Sequence, residues 1–330
     1  MRLPLLPALA VALAVAVPSA WAASVAGTSR SDRIAVQDNG IKDRVRCGGG
    51  RDVVTADLLD VIAADCEVVS REISHDSTTA LQAQHSTQVE PDSFAFGRTI
   101  VASFQSGRYD DGGAAAIGWA TSQDAGKTWR AGSLTSDSER VSDPSVAYDA
   151  AHGTWLIAAL GVRRNELDIL LSRSPDGVAW SAARTIVSPS PGQEGFDKEW
   201  IACDNWMTSP FRGRCYLSYL DVTTNELETR WSDDGGSTWS APVDSSLGAV
   251  PKIEVNGAFP VVRPDGSVLV VFMLIAPLST GGDDWIGASR SIDGGVTFSN
   301  ASRVADLEPT FDLVVQDDPD RFGRGRCGRC

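Results

Sequence analysis

Apolar positions in this chain fall in short runs, most of them rich in β-branched and aromatic residues and each bounded by Gly, Pro, Asp or Ser. Thr99–Phe104, Thr154–Leu160, Arg214–Leu220 and Ser267–Leu274 form one set, and Ala115–Thr121, Asp168–Arg173, Leu227–Trp231 and Trp285–Arg290 form a second. Runs of this length and composition predict strands. Each run of the second set enters a turn written in nearly the same letters: Ser122-Gln-Asp124-Ala-Gly126-Lys-Thr128-Trp129, Ser174-Pro-Asp176-Gly177-Val-Ala-Trp180, Ser232-Asp-Asp234-Gly-Gly236-Ser-Thr238-Trp239 and Ser291-Ile-Asp293-Gly-Gly295-Val-Thr297-Phe298. The four Asp residues are 52, 58 and 59 positions apart. Asp bonds the backbone a few residues on, Gly supplies positive φ, Thr folds its hydroxyl back, and the aromatic ring pins the turn to the core.

A second element keeps phase. Segments beginning at Glu90, Asp143, Glu199 and Gly257 lie 34, 33, 35 and 36 residues before the Asp of the following turn, and each leads into a first-set run. With a strand after the turn, every period of about 50 residues holds four short antiparallel strands, the pattern of a β-propeller blade. The fold class expected is all-β.

Composition narrows the setting. The chain has 330 residues, 42% hydrophobic, with 31 Gly, 16 Pro and 10 Trp, which excludes disordered and collagenous classes. Its 29 basic and 43 acidic residues give a net charge of −14, and no basic block offsets it, arguing against nucleic acid or an anionic membrane as partner. Arg2, the apolar run Leu3–Val17, Pro18 and the small-residue pattern Ala20-Trp21-Ala22 read as a signal peptide over residues 1–22. The other reading, a membrane anchor, meets an apolar run too short to span comfortably. A secreted, extracellular protein with no membrane span after signal removal is expected. Six cysteines in such a chain suggest disulfides. By proximity they pair as Cys47/Cys66, Cys203/Cys215 and Cys327/Cys330.

The S-x-D-x-G-x-[TS]-[WF] turn resembles the Asp-box, or BNR repeat, of the sialidase (neuraminidase) superfamily, and Phe196-Asp-Lys-Glu-Trp-Ile-Ala-Cys-Asp204 is similar to a segment of secreted bacterial sialidase-like proteins. The resemblance implies a sialidase-type β-propeller with four recognisable four-stranded blades where the family has six. It implies an exo-alpha-sialidase-like glycosidase acting on terminal acidic sugars, or a non-catalytic propeller that binds glycans or cell-surface partners. Glycans or glycoconjugates are the partners expected, with the chain a monomer. The Asp-box residues Asp124, Asp176, Asp234 and Asp293 are then structural.

Gly107-Arg108-Tyr109-Asp110-Asp111 resembles the family loop that carries the acid/base Asp, making Asp110 or Asp111 the candidate acid/base and Arg108 a clamp for the sugar carboxylate. A guanidinium fork suits a carboxylate because it donates two parallel hydrogen bonds. Arg163, Arg164, Asp197 and Glu199 are the candidate substrate-binding residues. Several family positions are altered: an expected arginine falls on Val89, another near Met273, and the Glu that would activate a nucleophilic Tyr falls near Gly257. Tyr148, Tyr216 and Tyr219 read as packing residues. Glu90, Asp143 and Glu199, at equivalent starts of first strands, would face one axis, there to bind a cation or a sugar hydroxyl or to cap strand ends.

At the amino end, Asp43, Asp52 and Asp60 recur at nine and eight residues around Gly48-Gly49-Gly50, which resembles a degenerate calcium-binding repeat. With Cys47 standing where a glycine would, a stapled remnant without metal is the first expectation and a Ca²⁺ site the second. No other cofactor or metal is implied. The domains expected are the signal (1–22), the stapled segment (23–70), a polar linker (71–86), the incomplete propeller (87–320) and an aberrant Arg/Gly/Cys tail (321–330), which reads as a truncated or frame-shifted end.

Overall fold

The computed structural model describes residues 22–37, 41–74, 76, 78–163, 166–245, 254–275 and 284–307. The expected signal segment, Arg164, most of the loops on either side of residues 254–275, and the tail with Cys327 and Cys330 lie outside the described residues. Within them all regular structure is strand, with no helix, and so none long and apolar enough to cross a membrane. The chain divides into two compact units. The first comprises residues up to 75 with 97–100 and 120–131, and the second comprises the rest.

In the first unit six short strands, β1 (Ser24–Ala26), β2 (Arg33–Ala35), β3 (Arg44–Arg46), β4 (Val53–Ala56), β5 (Val61–Ile62) and β6 (Val68–Arg71), form two parallel sheets ordered β1-β3-β5 and β2-β4-β6. Successive passes of the chain thus stack as coils of a parallel roll. Alternate apolar side chains point inward, and Val36, Val45, Cys47, Val54 and Ala56 make the core. Carboxylates tie coil to coil. Asp43 accepts from the Ala23 N–H at 2.5 Å and Asp60 from the Asp43 N–H at 2.9 Å, while Asp52 accepts from the Asp32 N–H at 2.7 Å and Glu67 from the Asp52 N–H at 2.8 Å. Gly50 has φ +110° and a Cβ there would sit 2.4 Å from the Arg30 carbonyl carbon, so only glycine fits that coil contact. The Cys47–Cys66 disulfide closes the core.

The remaining strands come in four consecutive antiparallel groups. These are β7 (Gln84–Phe96), β8 (Thr99–Arg108), β9 (Ala114–Ser122) and β10 (Arg130–Ser133); β11 (Arg140–Asp149), β12 (Thr154–Arg163), β13 (Glu166–Ser174) and β14 (Arg184–Val187); β15 (Phe196–Cys203), β16 (Cys215–Asp221), β17 (Glu226–Ser232) and β18 (Val243–Asp244); and β19 (Glu254–Val262), β20 (Val268–Ile275), β21 (Trp285–Ser291) and β22 (Ser302–Asp306). Each group pairs in sequence order, and a single pair, Val141↔Ala114, joins the first two into one sheet. Strands β8, β12 and β16 are buried on both faces along most of their length, so they read as continuous runs rather than alternating ones.

Apolar cores lie between successive groups. Leu156, Ile169 and Leu171 meet Ile201, Leu217 and Tyr219, and Leu227 meets Val255, Val270, Phe272 and Leu274. Each such side chain contributes about 1.5–3 kcal/mol on burial. Arginines cross the same seams: Arg184 donates to the carbonyls of Gly236 and Ser237 at 2.6 and 2.8 Å, and Arg214 to that of Gly294 at 2.8 Å. Cys203 and Cys215, directly opposite across β15 and β16, form the second disulfide.

Three of the four Asp turns share one set of bonds, and the turn at Asp176, one residue shorter, keeps part of it. At Asp234, Ser232 Oγ, Ser237 N and Thr238 N each donate to Oδ1 at 2.8 Å, and Thr238 Oγ1 donates to Oδ2 at 2.6 Å. Asp124 and Asp293 repeat the arrangement, and Asp176 accepts from the backbone of Val178 and Ala179 and from Ser174. Against a desolvation that raises them, these donors hold Asp124 and Asp234 at about 2. The Trp129 and Trp180 indoles bond back to the carbonyls of Gly126 and Gly177, while Trp239 packs into the apolar core.

Candidate functional site

Strands β7, β11, β15 and β19, the first of each group, pack in succession, and each carries one residue with positive φ at the same place. Glu90 has φ 50°, Asp143 47°, Lys198 48° and Gly257 72°. The ladder slips at this point between Ser142 and Ser145, between Asp197 and Trp200, and between Asn256 and Phe259. Such a slip is a β-bulge, which bends the strand and re-aims one side chain. Positive φ at a residue with a Cβ costs about 1–3 kcal/mol, and strain of this kind clusters at functional sites. The four positive-φ positions line one cleft of about 280 Å³, completed by Glu199, Trp200 and Phe259 with the two prolines that follow Glu90 and Asp143. The Trp200 and Phe259 rings sit 4.8 Å apart at its apolar edge.

The bulge positions correct the strand phase read from the chain. Glu90 and Asp143 are equivalent to Lys198, not to Glu199, which stands one residue further in. Lys198 Nζ lies 2.6 Å from Asp143 Oδ2. Ser142 Oγ donates to Asp143 at 2.5 Å, and Gln105 Nε2 donates both to Glu90 and, at 3.0 Å, to Ser142 Oγ. Desolvation, a hydrogen bond with Asp143 and that residue's charge push Glu90 up to about 7, with Lys198 and Arg108 pulling the other way. Burial would raise Asp143 as well, but the bonds from Glu90, Lys198 and Ser142 outweigh it and hold this carboxyl below its ordinary value. The two carboxyls therefore divide their roles, one keeping a proton near neutrality and the other ionised. Glu199 is buried at 1% exposure with neither carboxylate oxygen hydrogen-bonded, and burial, then the charge of Asp143, raise it well above its ordinary value. Asp197 is raised for the same two reasons.

No family model matches the chain, and no curated protein matches it. Solved structures do. The leech intramolecular trans-sialidase aligns with 74% of this chain and 54% of its own, at 14% identity and a TM-score of 0.52. A variant of the NanB sialidase from Streptococcus pneumoniae aligns with 70% of this chain and 53% of its own, at 15% identity and a TM-score of 0.50. The fold is sialidase-like. An alpha-L-arabinofuranosidase from Fusarium graminearum also aligns, over 70% of this chain and 68% of its own, at 18% identity and a TM-score of 0.49. The chain spans about half the length of each of these two sialidases.

Within this sialidase-like fold the residues singled out from the chain separate. Arg108, at the end of β8, gives one N–H to Gln105 Oε1 at 3.0 Å, and its charge acts on Glu90, so it belongs to the cleft's surroundings. Asp110 is exposed. Asp111 is exposed too and pairs with Arg140 at 2.5 Å, and that guanidinium holds its carboxyl below the ordinary range. This is the reverse of what proton donation at neutral pH needs. Arg163 lies 3.8 Å from Asp168 at the end of the β12–β13 hairpin, and Arg164 lies outside the described residues. Tyr219 donates to Glu228 at 2.7 Å and accepts from Arg230 at 2.6 Å, a Tyr–Glu pair set in the core between strands, with burial raising the phenol. Tyr216 is fully buried and Tyr148 stacks near Phe96 and Trp155.

Lys198, Trp200, Gly257 and Phe259 complete the cleft, and buried Gln105 bonds Glu90 from behind it, none of them having been assigned a role from the chain. The signal for Lys198 was its place one residue before Glu199, hidden because Glu aligned with Glu. As for metals, no group of three His, Cys, Asp or Glu side chains among the described residues comes together to hold one. Asp43, Asp52 and Asp60, expected from the resemblance to a calcium repeat, accept backbone N–H groups of the roll.

Proposed function

We propose that this protein is a secreted glycoside hydrolase that releases terminal sugars from glycans, its four strand groups being blades of a sialidase-type propeller. One observation carries the reading: Glu90 and Asp143 line one aromatic-edged cleft with Lys198 2.6 Å from Asp143, a setting that pushes Glu90 up to about 7 and holds Asp143 below its ordinary value. Glycosidic cleavage needs an acid for the leaving oxygen, and a carboxyl poised near 7 supplies it. Glu90 is that acid. Asp143, ionised and paired with Lys198, retains the proton on Glu90 and presents negative charge to an oxocarbenium-like centre. A cleft just under the ~300–1,000 Å³ of drug-sized sites takes one sugar unit rather than a chain. Acidic sugars would draw on Arg108 and Lys198, the two cations whose charges act on Glu90.

A non-catalytic glycan-binding propeller is the second reading, favoured by the loss of Asp111 to Arg140 and of the Tyr219–Glu228 pair to the core. Turnover of 4-methylumbelliferyl glycosides, sialoside and neutral sugars alike, decides between them. Hydrolysis of at least one, reduced about 10²–10⁴-fold by Glu90→Gln, supports the enzyme. Glycan binding without turnover supports the second reading, and turnover unchanged in Glu90→Gln removes Glu90 from the chemistry.

A further inference from the structure

Three of the four positive-φ positions carry side chains and the fourth carries none. Glu90, Asp143 and Lys198 show that residues with a Cβ adopt this backbone here, so positive φ does not demand glycine at position 257. Close packing does not demand it either, since a Cβ on Gly257 would meet no heavy atom of the described residues within 4 Å. Glycine at this φ avoids the strain that its three siblings carry, and it also leaves this position of the cleft without a side chain. Gly257 is exposed and lines the same cleft as the three charged siblings. What its missing side chain leaves is open space in the cleft that Trp200 and Phe259 also line.

We propose that Gly257 is the specificity-determining floor of the sugar site, and that a single hydroxylated furanose or pyranose ring occupies the corner its absent side chain leaves open. This rests on the glycan reading above. The chemistry of the surround suits such a ring. Its apolar C–H face meets the aromatic edge, and vicinal hydroxyls find an acceptor in Asp143, a donor in Lys198 and the proton-bearing Glu90 opposite. Glu199, buried beside the cleft with both oxygens unpartnered, adds polar capacity that no protein group satisfies.

The test adds a side chain where the backbone tolerates one. Asn accepts positive φ more readily than other side chains, so Gly257→Asn fills the corner with least strain. Gly153→Asn is the control, in the β11–β12 hairpin, where φ is +61° and no described atom lies near the Cβ position. Binding of N-acetylneuraminic acid, galactose and arabinose is read by saturation-transfer NMR and calorimetry, beside thermal melts. The expected result is at least a ten-fold weaker affinity in Gly257→Asn for whichever sugar the wild type binds, with Gly153→Asn binding normally and melting no lower. Equal affinity in Gly257→Asn overturns the inference while leaving the glycan site standing. A wild type that binds no probe and hydrolyses no glycoside overturns both. If Gly257→Asn does not fold, Gly257→Ala reads the same effect with one added carbon.

Discussion

Replacing Asp234 by alanine removes one carboxylate that four donors share, from Ser232, Ser237 and Thr238 at 2.6–2.8 Å. A hydrogen bond to a charged group is worth about 1.5–3 kcal/mol. Both donors on Thr238 stand exposed and recover water when the carboxylate goes, so the loss lies well below four such bonds. A second route gives the scale: holding the carboxyl at about 2 instead of 3.8 stabilises its charged form by about 2 kcal/mol at neutral pH, trimmed by solvent screening. We expect Asp234→Ala to cost about 2 kcal/mol, or a fall in Tm of roughly 4–8 °C. Urea unfolding at pH 7 and pH 3 checks it. A depressed carboxyl stabilises above its unfolded value and loses that contribution as pH falls toward its folded value, so the gap between wild type and variant narrows at pH 3. Asp111→Ala, which deletes the same charge from an exposed pair, should cost clearly less than Asp234→Ala. A loss at Asp234 no larger than at Asp111, or a gap unchanged at pH 3, refutes the claim that the turn is organised by its carboxylate.

Glu199→Gln should remove a pH dependence. A buried carboxyl raised above 4.5 in the folded state favours folding below that value and loses the contribution as pH rises. Wild-type urea midpoints should therefore fall between pH 4 and 8 relative to the variant, and the opposite trend would discard the buried-acid assignment. Lys198→Met removes a charge that lowers Glu90, so ¹³C NMR titration should place Glu90 higher in the variant than in the wild type, and an unchanged titration means the two do not communicate. Replacing Cys203 and Cys215 together by serine opens a short loop and should cost about 3 kcal/mol. Because β15 and β16 are already in register there, a value nearer 1 would show that pairing supplies most of the constraint.

Much of the strand order was legible because each Asp turn is local. Ser232, Asp234, Gly236 and Thr238 close their bonds within seven residues, so the letters and the geometry repeat together. Cys203 and Cys215 were legible for the same reason. The cleft was not, because its residues are assembled by backbone conformation that charge patterns do not encode. Glu90-Pro91 and Asp143-Pro144 align naturally with an acidic residue, and Lys198-Glu199 lacks the proline that would have marked the phase, so Glu199 took the place that belongs to Lys198. Asp111 looked like an acid from its loop, and only the approach of Arg140, 29 residues on, shows its charge to be committed. Trp200 and Phe259, far apart in the chain, meet only when β15 and β19 pack.

The repeated bulge separates direction from content. Its backbone brings four positions to one cleft and makes little demand on what fills them, as the presence of a Glu, an Asp, a Lys and a Gly there shows. A change of one codon at any of them rewrites the charge, proton inventory or volume of the cleft while the strands, seams and turns that hold it stay as they are. Such a frame is readily retuned by drift and selection. Substrate preference in proteins built this way can diverge faster than their architecture, and libraries randomised at these four positions alone would explore it.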